Sequence, residues 1–407
     1  MKKLRTSAAA LLLLALMLLG SCLMLSNPKA LRDDFRSGRA QTLSGSDSSS
    51  FFANLTGWIA GAGHAADEAA ARQTPLITLY GGFQRLIGCE IVQDASAANN
   101  VVRLKNGKLN FISRDPKPGN PDGNAAILNN FAAYNNSLGI PTLFVLAPQK
   151  ISMYTDEKPA GAVEYGNQNA SRFLSQLSPE VGALDLRPAF HEAEHGHNYY
   201  FFNTDHHWTP EGAFLAFQHI AERLRTSYGF TISPQITDLT NYQKDTYPQL
   251  FLGSQGKRVG PWYAGLDDFT LLRPAEPTSG FSFEIPHKGV LREGSFEDAF
   301  LFYEMLGTGD IYSLNPYVVY TGGDYPLSIA RNANDRSGRK ILLLRQSFSC
   351  ALAPFLACGC SQLDILDPRY FEGSVRDYIA ESSPDLVMVV YGASDTCNEL
   401  LFEPLSE

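Results

Sequence analysis

The sequence predicts an α/β protein: a doubly wound, mainly parallel sheet flanked by helices, with a long irregular or β-rich insertion. Three observations carry that expectation. Short aliphatic runs recur between turn residues, helix-length amphipathic stretches separate them, and one Gly-, Pro-, Tyr- and Phe-rich segment breaks the rhythm. Strands buried on both faces read as unbroken apolar runs, and strands alternating with helices imply a parallel sheet.

The chain opens with three positive charges in residues 1–5 (MKKLR), followed by an unbroken apolar run over residues 8–19 (AAALLLLALMLL). This is the n-region and h-region of an export signal. The apolar run resumes after Gly20-Ser21 as Cys22-Leu23-Met24-Leu25, so residues 8–25 are long enough to span a bilayer. Three fates are open: cleavage, retention as a signal anchor, or acylation of Cys22 through Leu19-Gly20-Ser21-Cys22. In each, the positive end stays in the cytoplasm and the rest is exported. The expected location is therefore membrane-anchored facing outside, or secreted. Residues 1–29 form this signal segment. Residues 30–75 read as a juxtamembrane spacer, because small polar residues such as Ser44–Ser50 bury little. One helix is expected there, through 53–73.

From residue 76 to about 400 the pattern is that of one α/β domain. The strand candidates are Leu143–Leu146, Ala183–Leu186, Ile341–Leu344, Leu363–Leu366 and Leu386–Tyr391. Helices are expected over 124–138, 168–178, 211–226, 349–357 and 372–382. Residues 231–335 are the insertion between the two halves of the sheet.

Composition narrows the function. The 407 residues hold 33 Lys+Arg against 42 Asp+Glu, a net charge of −9, which argues against a protein that grips nucleic acid. A hydrophobic fraction of 44% excludes wholesale disorder. Cysteines stand at 22, 89, 350, 358, 360 and 397. Cys358-Gly359-Cys360 is too tightly spaced for a zinc knuckle and reads as buried small residues. A disulfide from Cys350, Cys358 or Cys360 to Cys397 stays open in an oxidising exterior.

The densest chemistry lies in Asn203-Thr204-Asp205-His206-His207-Trp208-Thr209-Pro210-Glu211. Thr209 is a good N-cap and Pro210 suits the first turn, so a helix starts there and Asp205 and His207 sit on the loop before it. A carboxylate two residues from an imidazole can hold Nδ1–H and leave Nε2 as a base, which is half of a nucleophilic triad. The other half is Ser347, in Leu344-Arg345-Gln346-Ser347-Phe348-Ser349, where an aliphatic strand turns into a helix. Such a turn stands at the carboxyl edge of the sheet, and helix-start amides beside it can stabilise an oxyanion. Pro354 sits deep for that helix unless it kinks. His191-Glu192-Ala193-Glu194-His195 fits H-E-x-x-H, but Pro188 and Gly196 leave room for only about two turns. A solvated loop or short helix is expected there rather than a zinc site.

At this point a resemblance can be stated. Tyr199–Gly212 (YYFFNTDHHWTPEG) resembles the signature of the DHHW proteins, relatives of the alginate O-acetyltransferases in the SGNH-hydrolase-like group. Further landmarks are Ala147-Pro148-Gln149-Lys150, Phe251-Leu252-Gly253-Ser254, Tyr320-Thr321-Gly322-Gly323-Asp324, the Ser347 turn and Asp367-Pro368-Arg369-Tyr370. Together they spread the likeness over residues 76–395. The resemblance implies an SGNH-hydrolase-like fold in which Asp205 orients, His207 is the base and Ser347 the nucleophile. His206 is the intervening residue, and Trp208 packs under the site. One departure stands out: the family has Asp before the serine, where this chain has Gln346.

The implied chemistry is acyl transfer through an acetyl-serine, needing no cofactor or metal. The implied acceptor is a cell-surface polysaccharide, with a membrane-bound O-acyltransferase as acetyl donor. Water as acceptor would make the protein a carbohydrate acetylesterase. Loss of function at Gln346 would leave a silent polysaccharide-binding or scaffold protein.

Overall fold

The computed structural model describes residues 27–43, 51–71, 74–94, 99–113, 116–276, 278–307 and 309–406. The apolar run 8–25 and the polar run Ser44–Ser50 lie outside these residues. Among the described residues no helix is long and apolar enough to cross a membrane.

The stretch expected as a spacer with one helix carries two, α1 (Pro28–Leu43) and α2 (Phe51–Ala71). They pack on each other because each offers an aromatic ring: Phe35 meets Trp58 edge-on at 4.9 Å, and Arg39 donates to Asn54 at 3.0 Å. α3 (Thr74–Leu86) then crosses a later segment at Gly81. A Cβ at Gly81 would come within 1.6 Å of the Val259 carbonyl oxygen, so only glycine permits the contact. Three short strands follow as a small antiparallel sheet: β1 (Ile91–Val92), β2 (Asn100–Arg103) and β3 (Leu109–Ile112).

The central elements match the expected runs closely. In chain order they are α4 (Asp122–Ser137), β4 (Thr142–Ala147), α5 (Gly166–Ser175), β5 (Val181–Asp185), α6 (Arg187–Glu192) and α7 (Pro210–Tyr228). The insertion supplies β6 (Tyr242–Phe251), α8 (Ser254–Val259), α9 (Pro261–Ala264), β7 (Asp267–Pro274), β8 (Phe281–Ile285), β9 (Val290–Gly294), α10 (Phe296–Phe300) and β10 (Leu327–Asn332). The chain closes with β11 (Lys340–Arg345), α11 (Ser349–Ala357), β12 (Gln362–Leu366), α12 (Val375–Ser382), β13 (Leu386–Gly392) and α13 (Glu399–Phe402).

The main sheet has eight strands in the order β5-β4-β13-β11-β12-β10-β8-β9. The five aliphatic runs are its five parallel strands, β5 to β12. The insertion is built into the main sheet. Its β10, β8 and β9 extend the sheet by antiparallel pairing, while β6 and β7 form a separate two-stranded ribbon. Successive strand residues face opposite layers. Leu143, Val145, Leu343 and Met388 join α7, α11 and the insertion in one core, whereas Phe144, Leu146, Leu344 and Val389 join α4, α5, α12 and α13 in the other. The sheet is thus covered on both faces, and the ribbon's Phe251, Phe269 and Leu271 belong to the first core.

Pro354 stays inside α11, every residue of which is buried. Cys89, Cys350, Cys358, Cys360 and Cys397 are all free thiols, so none of the open disulfides forms. Burial holds the Cys350 and Cys358 thiols up at about 12, which keeps them unreactive.

Replacing the fully buried Leu343 with Ala should cost about 2–5 kcal/mol, whereas Leu400→Ala at an exposed position of α13 should stay within about 0.5 kcal/mol. Urea midpoints at unchanged slope check the contrast.

Candidate active site

The site is assembled where the parallel strands end. β4 leads into Ala147–Lys150, β11 into Ser347, and β12 into Asp367–Tyr370, so three of the sequence landmarks collect at one sheet edge.

Asp205 and His207 lie on the loop leading into α7, whose start is as expected: Thr209 accepts from the Gly212 amide and Pro210 fills the first turn. The loop is held from below by a carboxylate that the sequence does not flag. Asp267, at the start of β7, accepts from the amides of Asn203 (2.8 Å) and Thr204 (2.7 Å) and from the Thr204 hydroxyl (2.7 Å). Lys150, buried beyond β4, donates to the carbonyl of Leu109 (2.6 Å) and to Gln255 Oε1 (2.8 Å), and reaches the Asn203 carbonyl at 3.3 Å. Burial pushes its amine down to about 7, with Asp267 opposing the shift.

The loop meets the Ser347 turn in a continuous chain of hydrogen bonds. His207 Nδ1 lies 2.5 Å from Asp205 Oδ1, and His207 Nε2 lies 2.8 Å from Ser347 Oγ. Asp205 Oδ1 also accepts the His207 amide (3.0 Å), while Oδ2 accepts the Ser254 amide (2.7 Å). Burial alone would push the Asp205 carboxyl up. The two imidazoles, with the hydrogen bonds from His207 and Ser254, hold it well below the usual carboxylate range. The carboxylate is therefore ionised and acceptor-only, which fixes the His207 tautomer with its proton on Nδ1 and leaves Nε2 to accept from Ser347.

Aromatic packing fixes the imidazole. Its ring stacks on Tyr317 at 4.1 Å with 14° between planes. The Tyr317 hydroxyl and Trp208 Nε1 both donate to the Phe348 carbonyl, at 2.8 and 3.0 Å. Trp208 is fully buried and so packs beneath the site, locking the residue after Ser347 to the loop that carries His207.

Gln346 keeps the turn in shape without a charge. Its Oε1 accepts from the Phe348 amide at 3.1 Å and lies at the same distance from Ser347 Oγ, whose one proton goes to His207 Nε2. A carboxylate could make the same contacts, so the departure from Asp leaves the local hydrogen bonds in place. The helix-start amides do not serve as expected. Phe348 N–H is taken by Gln346 Oε1, Ser349 N–H by the Gln346 carbonyl, and Cys350 N–H by the Ser347 carbonyl.

His206 occupies a different position from its neighbour. Its side chain is 38% exposed against 10% for His207, and its Nδ1 lies 2.8 Å from Ser254 Oγ. Ligand atoms of Asp205, His206 and His207 lie within 4.8 Å of one another, the one such cluster among the described residues. Within that cluster His207 Nδ1 and Asp205 Oδ1 are already bonded to each other.

The H-E-x-x-H segment does not form a metal site. α6 ends at Glu192 and Gly196 takes a positive φ of 72°, so His191 and His195 share no helix. His191 stacks on Tyr154 at 4.3 Å, and His195 packs on Tyr199 at 4.7 Å.

Sequence reasoning quoted Gly253 and Ser254 without a role and missed Asp267 and Tyr317. A Cβ on Gly253 would lie 2.2 Å from Asp205 Cβ, so the segment carrying Ser254 can approach Asp205 only as glycine. Nothing in the residues around Asp267 or Tyr317 points to the loop they support, since both contacts are made across the fold.

Residues 113–254 match the family model described as the SGNH hydrolase-like domain of the acetyltransferase AlgX. The matched segment contains Asp205 and His207 and stops short of Ser347. The chain is 26% identical over 120 residues to the probable alginate O-acetylase AlgJ of Pseudomonas fluorescens, which spans 28% of this chain and 30% of that protein. Among solved structures, a DHHW family protein from Eubacterium siraeum is similar with a TM-score of 0.61 at 20% identity, covering 78% of this chain and 96% of that one. Bacillus cereus PatB1 is similar with a TM-score of 0.59 at 22% identity, covering 76% and 98%. The fold is SGNH-hydrolase-like, and the resemblance stated from Tyr199–Gly212 stands.

Gly253→Ala should force the Asp205 loop to shift, costing about 1–3 kcal/mol. The short His207 Nδ1–Asp205 contact should give the parent protein a downfield Nδ1–H signal in its 1H spectrum, and that signal should be lost in this variant and in Asp205→Asn.

Proposed function

We propose that the chain is an exported serine O-acyltransferase that O-acetylates a cell-surface polysaccharide. The observation that carries this reading is the hydrogen-bonded series Asp205–His207–Ser347, with an ionised carboxylate at one end and a partly exposed hydroxyl at the other. That is the arrangement of orienter, base and nucleophile. Support from relatives comes from the names of the matched proteins, an acetyltransferase and a probable alginate O-acetylase.

In the first half-reaction Ser347 Oγ attacks the acyl carbonyl carbon while its proton passes to His207 Nε2. Asp205 stabilises the imidazolium through Nδ1–H. Collapse of the tetrahedral intermediate expels the donor's leaving group, which takes the proton from His207, and leaves an acyl-serine. In the second half-reaction an acceptor hydroxyl attacks the ester and its proton goes to His207. The bond to Ser347 breaks, and the proton returns to Oγ. The helix-start amides are engaged within the turn, which leaves the amide of Ser347 itself as the neighbouring backbone donor for the oxyanion.

The apolar run at 8–25 supports a site outside the cytoplasm, anchored to the membrane or secreted. A membrane-bound O-acyltransferase handing acetyl groups across the bilayer is the proposed donor, because acetyl thioesters are made inside. The same serine chemistry with water as acceptor gives an acetylesterase.

The test uses a chromogenic acetyl ester and a serine-directed sulfonyl fluoride. Turnover and labelling of the parent should fall at least about 10³-fold in Ser347→Ala and His207→Ala, and less in Asp205→Asn. Undiminished turnover in either of the first two variants would sink the assignment. A parent protein that is neither labelled nor acetylated would favour a silent binding protein.

A further inference from the structure

The triad accounts for acyl-serine formation, but the second half-reaction also needs an acceptor held beside the ester. Three rings touch the His207 imidazole: Tyr317 at 4.1 Å, Phe348 at 5.1 Å and His206 at 3.8 Å. Tyr317 and Phe348 are buried, so His206 is the one that faces solvent. It is also the one with a hydrogen-bonding edge to spare. Nδ1 is engaged with Ser254 Oγ, and Nε2 has no protein partner among the described residues.

His206 is not a mobile surface ring. Ser254 fixes its Nδ1 side, and the amide of the same Ser254 holds Asp205 Oδ2 at 2.7 Å, so one residue orients both His206 and the triad carboxylate. Preorganisation of this kind is what a substrate-binding group requires. Burial against the protein, and then the neighbouring His207, lower the basicity of His206. The ring is therefore neutral at neutral pH and offers a directional hydrogen bond rather than a charge. Where Ser254 Oγ–H donates to Nδ1, the ring proton is on Nε2.

We propose that His206 forms the acceptor subsite of this serine transferase: its Nε2–H donates to a sugar oxygen next to the attacking hydroxyl, holding that hydroxyl beside His207 and the acyl-serine. It rests on the serine-transfer reading above. Division of labour follows. His207 takes the proton of the attacking hydroxyl, the new ester bond forms to the sugar oxygen, the bond to Ser347 Oγ breaks, and Ser347 regains the proton. His206 exchanges no proton in the step. It selects a polyhydroxylated acceptor over water, because water has no second oxygen for Nε2–H to bind.

The experiment measures partition of one intermediate. The full chain is acetylated with p-nitrophenyl acetate in the presence of methyl β-glucoside, and acetyl-glucoside and free acetate are quantified together. Their ratio is independent of how fast Ser347 is acylated. His206→Phe, which keeps the ring but removes the donor, should lower the ratio about tenfold, the size of one neutral hydrogen bond. His206→Gln, whose amide can still donate, should recover part of it. An unchanged ratio in His206→Phe would overturn the proposal, since a residue acting only through His207 or Asp205 slows transfer and hydrolysis alike. Acetylated parent protein that forms no acetyl-glucoside would overturn it too. Failure of the underlying reading looks different: nitrophenolate release that persists in Ser347→Ala.

Discussion

The buried carboxylate of Asp205 is the constraint on which the site depends. An ionised group in that position is tolerable only if its lone pairs are filled, and here each oxygen is filled by a different part of the chain. Oδ1 accepts from the amide and ring of His207, and Oδ2 accepts from the amide of Ser254. The requirement reaches outward. Ser254 can come close only because Gly253 lacks a side chain, and the Asp205 loop is in turn tied down by Asp267 and Lys150. Removing any one of these partners leaves a charge or a dipole buried without compensation.

This explains why the insertion is part of the domain. It supplies Ser254, Asp267 and Tyr317 to a site whose Asp205, His207 and Ser347 lie outside it. Its strands extend the main sheet, and its ribbon shares the main hydrophobic core, so its geometry is coupled to that of the parallel strands. The same coupling runs through the Phe348 carbonyl, where Trp208 from the loop that carries His207 and Tyr317 from the insertion donate to one oxygen next to Ser347. Ser347 and His207 are thereby held by a common anchor rather than by their mutual hydrogen bond alone.

Gln346 illustrates how a sequence departure acquires its meaning from contacts. Read alone, replacing the family's Asp suggests decay. In the fold the side chain makes a local turn contact through its carbonyl oxygen, which an amide supplies as well as a carboxylate does. Two differences are left: there is one negative charge fewer beside the serine, and the Gln346 amide nitrogen is buried without a hydrogen-bond partner. H-E-x-x-H is the opposite case, a motif correct in letters that fails in shape, because Gly196 and the early end of α6 separate its histidines.

The sequence by itself determined the local elements. Aliphatic runs of strand length and apolar positions at helical spacing depend only on neighbours in the chain, so the five parallel strands and the helices between them were legible, as were the Thr209 cap and the Asp205–His207 pair two residues apart. The strand-to-helix turn at Ser347 and the resemblance both pointed to that serine as the pair's partner. Only the tertiary structure decided what meets across the fold. Ser347 reaches His207 over 140 residues of sequence separation, Asp267 reaches Thr204 over 63, and Ser254 reaches Asp205 over 49. Such contacts are set by strand order and by close approach at single glycines. No local pattern of residues encodes either of them, so the second layer of the site stayed invisible until the chain was folded.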